Sequence, residues 1–173
     1  MNRIGFGFRS AACAALLSAL SALAQQAGSV PPAILAAKKI FVSNAGADTG
    51  LFPHPFSGDP SRAYAQFYTD LKAAGQFEIV ADPADADLVL ALQLTAPSCP
   101  VTERGMIGVN CAPESVLHLV IYDRKTHFVL WTMTQSIGVA DTQKAHDHNF
   151  DAAIFVLMEK FQQLSGKPVT PFK

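Results

Sequence analysis

Three stretches between Ala86 and Gly138 alternate apolar and polar residues with a period of two, the pattern of strands covered on one side. In the first, Leu88, Leu90, Leu92 and Leu94 share one face, and Val89, Ala91, Gln93 and Thr95 share the other. In the second, Leu117, Leu119 and Ile121 oppose Val116, His118, Val120 and Tyr122. In the third, Val129, Trp131, Met133 and Ile137 oppose Phe128, Leu130, Thr132, Thr134 and Ser136. One face of each strand is strongly apolar and the other is mixed, so one side of the sheet should be packed and the other only half so. Asp123-Arg124-Lys125-Thr126-His127 reads as a hairpin turn between the second and third strands. Thr126 or His127 falls where such a turn needs positive φ.

Lys38–Ser43 reads as an earlier strand, followed by a Gly-, Pro- and Asp-rich loop from Asn44 to Asp59. Asp59-Pro60-Ser61 marks a helix start, with Asp as the cap and Pro at the first helical position. Tyr64, Phe67, Tyr68 and Leu71 then fall on one helical face, and Gly75 ends the helix. Phe77–Val80 is a short strand. Ala140–His148 reads as a polar connection, and Asn149 as the cap of a last helix through Leu164. Phe150, Ala153, Ile154, Leu157, Phe161 and Leu164 line that helix, and Gly166 and Pro168 stop it. The expected class is α+β: a two-layer, mixed sheet of about five strands with two amphipathic helices on one face. Leu90 and Trp131 should lie in its core with Tyr64, Phe67, Leu157 and Phe161.

The N-terminal segment has a different character. Arg3 and Arg9 precede an apolar run, Ala11–Leu23, and Ala22-Leu23-Ala24 fits a small-x-small cleavage site. The segment reads as a signal peptide, residues 1–24, cut between Ala24 and Gln25. A membrane anchor is the alternative, but the run is shorter than the roughly 20 residues a span needs. Ser10-Ala11-Ala12-Cys13 lacks a large aliphatic residue three before the cysteine, which argues against lipidation. The expected order is leader 1–24, tether 25–37, one α/β domain 38–166 and a C-terminal tail 167–173. The protein is then periplasmic or secreted, with no membrane span after cleavage. The mature chain carries eleven basic and fourteen acidic residues, a net charge of −3. That balance does not point to nucleic acid or an anionic membrane.

The candidate chemistry is sparse. Cys99 and Cys111 would be the only cysteines of the mature chain. In an exported protein such a pair reads as a disulfide, here closing the Pro100–Asn110 excursion. A zinc pair is the alternative, but it lacks two nearby ligands. His146-Asp147-His148, with Asp141 and Asp151 nearby, is the one cluster of metal-capable residues. His146 and His148 are weak metal candidates because positions two apart do not share a helical face. A polar approach to the last helix, with Asp near its positive end, accounts for the cluster as well. His118 lies on the mixed sheet face and reads as a packing residue. Asn44–Asp59 has neither G-x-G-x-x-G nor GK[ST], and no G-x-S-x-G occurs anywhere. No cofactor is implied.

The order of short motifs resembles a group of bacterial envelope domains. The motifs are Lys39-Ile40-Phe41-Val42, Gly75-Gln76-Phe77-Glu78-Ile79-Val80, Ala86-Asp87-Leu88-Val89-Leu90, the run Leu119–Thr126, and Leu130-Trp131. The group comprises the N-terminal domain of the Tol-system propeller protein, curli-secretion lipoproteins and penicillin-binding-protein activator lipoproteins. The likeness covers about Lys38 to Leu164. It implies an α/β domain that binds other envelope proteins and offers no catalytic residues to transfer. Three departures stand out: Thr126-His127 where the group has Thr-Gly, the cysteine-bounded excursion, and the missing lipidation cysteine. The leading expectation is therefore a non-enzymatic, exported protein-interaction or envelope-assembly domain with an envelope protein as partner. Tyr122, Leu130 and His118 on the mixed face are the expected contacts. A small-ligand or metal-binding periplasmic protein and an unrecognised hydrolase are the competing readings.

If Cys99 and Cys111 are bonded, mature protein purified without reductant will be two hydrogens lighter than its reduced form. A peptide map will then join the two cysteines. Two alkylatable thiols in the unreduced protein would refute the pairing.

Overall fold

A computed structural model describes residues 29–96 and 114–169. The predicted leader with its Ala24/Gln25 boundary, Cys99, Cys111 and residues 170–173 lie outside the described residues. The chain divides after Val30, and every described element belongs to the unit that starts at Pro31.

The elements run in the order α1 (Pro32–Ala36), β1 (Lys39–Ala47), α2 (Arg62–Ala74), β2 (Glu78–Ile79), β3 (Leu88–Thr95), β4 (Ser115–Asp123), β5 (Val129–Ile137) and α3 (Gln143–Leu164). Short 3₁₀ turns occupy Thr49–Leu51 and Pro83–Asp85. The strands form one sheet in the order β2-β1-β3-β4-β5. β1 pairs in parallel with β2 and β3, while β3–β4 and β4–β5 are antiparallel, so the sheet is mixed. The fold is α+β, as the hydrophobic pattern predicts.

The apolar faces of the central strands form the core. Leu88, Leu90, Leu92 and Leu94 of β3, and Leu117, Leu119 and Ile121 of β4, are buried, as are Ile40 and Val42 of β1. Phe67 and Leu71 of α2 and Phe150, Ile154, Leu157 and Phe161 of α3 close over them. Phe77, just before β2, stacks on Phe161 with ring centres 5.3 Å apart. Two core expectations change. Trp131 is only half-buried, because β5 is the sheet's edge strand. Tyr64 is half-buried too: α2 turns Ala63, Phe67 and Leu71 inward and leaves Tyr64 against Tyr68 at its flank.

The segment read as a tether contains α1, which buries Ile34 completely. β1 continues four residues beyond Ser43, into what the sequence reads as loop. The rest of that loop returns Leu51 and Phe56 to the core, and Phe56 lies 5.0 Å from the Phe150 ring. α2 starts at Arg62 instead of Pro60. Asp59 still organises the start, because its carboxylate accepts from the Ser61 N–H at 2.7 Å and hydroxyl at 2.5 Å.

The largest difference is at α3. It begins six residues before Asn149, with Thr142 as the cap, and takes His146-Asp147-His148 into the helix. Thr142 Oγ1 accepts from the Ala145 N–H. The Asn149 side chain instead donates to the Gly138 carbonyl at 3.0 Å.

Between β4 and β5, Asp123 Oδ1 accepts from the Lys125 and Thr126 N–H groups at 2.9 and 2.7 Å and from the Thr126 hydroxyl at 3.0 Å. His127 takes the positive-φ position, at φ 60°. The left-handed conformation costs a residue with a Cβ about 1–2 kcal/mol. Glycine avoids that cost but loses about 0.5–1 kcal/mol in backbone entropy. His127→Gly should therefore raise stability by about 0.5–1 kcal/mol, seen as a higher urea midpoint with an unchanged slope. A lower midpoint would mean that the histidine side chain holds the turn.

Candidate interaction surface

The face away from α2 and α3 can be read row by row, because residues paired across a ladder point to the same side. Phe41, Val89, Tyr122 and Val129 form one row across four strands. Ser43, Ala91, Val120 and Thr132 form the next. Gln93, His118 and Thr134, then Thr95, Val116 and Ser136, complete the face toward its other end. The first row is apolar throughout, and the later rows become polar. Phe41, Val89 and Tyr122 are half-buried, Val129 is 54% exposed, and Phe128 beside it is 74% exposed.

The edge of this row owes its composition to a β-bulge. Strict alternation places Val129 with Trp131, but the β4–β5 register shifts between Ile121 and Tyr122. Ile121 pairs with Trp131 and Tyr122 with Val129, so Leu130 is the additional residue. Val129 thus replaces Leu130 as the neighbour of Tyr122. Leu130 and Tyr122 are both half-buried, so neither is sealed in the core. His118 Nε2 lies 2.9 Å from the Thr95 hydroxyl, a diagonal contact within the polar rows. Among the described residues no carboxylate bonds to this histidine.

The ionisable residues gather elsewhere. Arg62 Nη1 donates to Asp147 Oδ1 and Nη2 to Asp151 Oδ1, each at 2.6 Å, joining α2 to α3. The Ser57 N–H and hydroxyl donate to the Asp147 carboxylate at 2.9 and 2.8 Å, which adds the β1–α2 loop. The guanidinium also lies 4.5 Å over the Phe150 ring. The acidic member of His146-Asp147-His148 therefore serves an ion pair. His146 packs edge-on against Phe56 with ring centres 6.1 Å apart, whereas His148 is exposed. Among the described residues, no three His, Cys, Asp or Glu side chains converge as metal ligands. A single carboxylate has another structural role: Asp87 accepts from the Lys38 and Lys39 N–H groups, each at 2.9 Å, and fixes the start of β1. These bonds hold its pKa below the ordinary value, Lys39 N–H first.

No protein-family model and no curated protein sequence matches the chain. Solved structures with a similar course include a DUF4136 family protein from Bacteroides thetaiotaomicron, at 12% identity and TM-score 0.49, over 82% of this chain and 94% of that one. A PelC dodecamer from Paraburkholderia phytofirmans matches at 16% identity and TM-score 0.41, over 76% of this chain and 88% of that one. TolB from Acinetobacter baumannii matches at 16% identity and TM-score 0.40; 76% of this chain spans 29% of that structure. Likenesses at this level carry no argument about function. Among the described residues no helix is long and apolar enough to cross a membrane.

Partial burial raises the Asp147 pKa, but the Ser57 and Arg62 donors outweigh it and lower the pKa from 3.8 to about 2. Folding therefore lowers this pKa. The stabilisation is fully present above the unfolded value and is lost as pH falls through the folded one. Allowing for solvent screening, it is on the order of 1 kcal/mol. Asp147→Asn should reduce stability by about that much at neutral pH, and the gap to the parent should close between about pH 4 and pH 2. Denaturant titrations across this range will check it; a gap independent of pH would remove the ion-pair explanation.

Proposed function

We propose that this chain is an exported, non-enzymatic envelope domain that binds another envelope protein through the open face of its sheet. The observation that carries this reading is the apolar row Phe41–Val89–Tyr122–Val129, ending beside exposed Phe128. Apolar side chains gathered at one end of a sheet face, with polar rows beyond them, have the composition of a contact surface. Tyr122 is the anchor, because it combines a large apolar ring with a polar tip. Leu130 and His118 lie at the border of the contact. Export rests on the charged, apolar and small-residue order of residues 1–24.

The test places a photo-crosslinking amino acid at Phe128 in cells that make the full chain, with Gln66 on α2 as the control position. The expected result is one discrete adduct from Phe128, none from Gln66, and loss of the adduct when Tyr122→Glu and Val129→Glu are added. Circular dichroism of the purified variant checks that it still folds. Equal labelling from both positions, or an adduct that survives the two charges, would overturn the proposal.

A further inference from the structure

β5 is an edge strand, and edge strands offer unpaired N–H and C=O groups to any passing strand. The ladder shows which groups these are. The Asp123 N–H donates to the Phe128 carbonyl, so odd-numbered residues of β4 direct their backbone groups toward β5. Their partners Trp131, Met133 and Gln135 are bonded within the sheet. Thr132, Thr134 and Ser136 therefore point their backbone groups outward.

Two of these outward carbonyls are occupied by the chain's own side chains. Lys160 Nζ, reaching from α3, donates to the Thr134 carbonyl at 3.3 Å and to Gln135 Oε1 at 2.8 Å. Gln135 Nε2 donates to the Ser136 carbonyl at 3.0 Å. Just past the strand, Asn149 Nδ2 donates to the Gly138 carbonyl at 3.0 Å. Three carbonyls at alternate positions are thus capped by an ammonium and two amides. A strand arriving here would have to displace all three donors and bring its own groups against a cation.

We propose that Lys160, Gln135 and Asn149 form a side-chain guard that closes the C-terminal half of β5 to strand pairing with a second copy of this chain. Lys160 is the principal member. It is exposed, it caps the Thr134 carbonyl directly and holds the side chain of Gln135, which caps Ser136, and it brings the guard's one charge to the edge. The guard is independent of the contact proposed above, which uses the sheet face and the hairpin end.

The test compares the parent with Lys160→Met/Gln135→Leu by sedimentation velocity over a range of concentrations, and maps amide exchange at the highest concentration. Lys160→Met alone is the second variant; it keeps the side chain's apolar stem and, being exposed, leaves the fold intact. The guard predicts self-association at least tenfold tighter in the double variant, an intermediate gain in the single one, and new protection at the Thr134 and Ser136 amides. Lys160→Arg, which retains a donor, should behave as the parent does. Folded variants that associate no more than the parent, or that gain protection only around Phe128 and Val129, would overturn it.

Discussion

The pairing of β3 on both sides is the constraint on which the other elements depend. It bonds in parallel to β1 and antiparallel to β4, and its leucines at 88, 90, 92 and 94 all point under the helices. A slip of one residue against either neighbour would turn four fully buried leucines to the other face. Burying a side chain of that size gains roughly 1.5–3 kcal/mol, so the slipped register has no compensating packing. Asp87, immediately before the strand, binds the backbone of Lys38 and Lys39 and fixes where β1 begins. The same fixed register sets the rows of the opposite face, from Phe41 to Val129.

The helices meet at a second fixed point. Arg62 lies in the first turn of α2, Asp147 and Asp151 lie one turn apart on α3, and Ser57 belongs to the preceding loop. Surface ion pairs contribute little singly. Here one guanidinium bridges two carboxylates while covering the Phe150 ring, and so limits how α2, α3 and the loop can shift. Phe56 lies directly alongside, packed on Phe150, so the polar contacts hold an aromatic contact in place. Nearby Asp70 has its pKa raised by burial and then by Asp151, the opposite of Asp147. The donors reach Asp147 and Asp151, whereas the Asp70 pKa is raised by its burial and then by the Asp151 charge.

How much of this was legible depended on whether local pattern or distant partners decided each element. The β3–β4–β5 core, the faces of β3 and β4, the hairpin and the inner stripe of α3 follow from periodicity alone. The start of α3 does not. His146-Asp147-His148 looks like connection because its polar residues find their partners, Ser57, Arg62 and Phe56, some ninety positions away along the chain. The Asn44–Asp59 loop was missed for the same reason, since Phe56 is core only because Phe150 is opposite. On α2 the aromatic residues suggest the inner stripe, but the helix turns Ala63 inward with Phe67 and Leu71. On β5 the register shift is invisible in the sequence, where Phe128-Val129-Leu130-Trp131 is simply apolar. The shift separates Val129 from Trp131 and brings Val129, expected on the packed face, beside Tyr122 in the mixed row.

That shift also connects the two outward-looking parts of the sheet. Without it, continuous alternation would keep Val129 on the side of Trp131, and half-buried Leu130 would stand in its place at the edge of the apolar row. With it, the hairpin end of β5 is apolar and exposed, while the far end, from Thr134 to Gly138, is polar and bonded to its own side chains. Threonine, serine and glutamine dominate this second half, and a lysine from α3 brings to it the kind of charge that blunts an edge. The strand therefore changes character along its length: one end can offer side-chain surface to a different protein, and the other resists backbone pairing with its own kind. The two properties belong together, because the exposure that would admit a partner would also admit another copy.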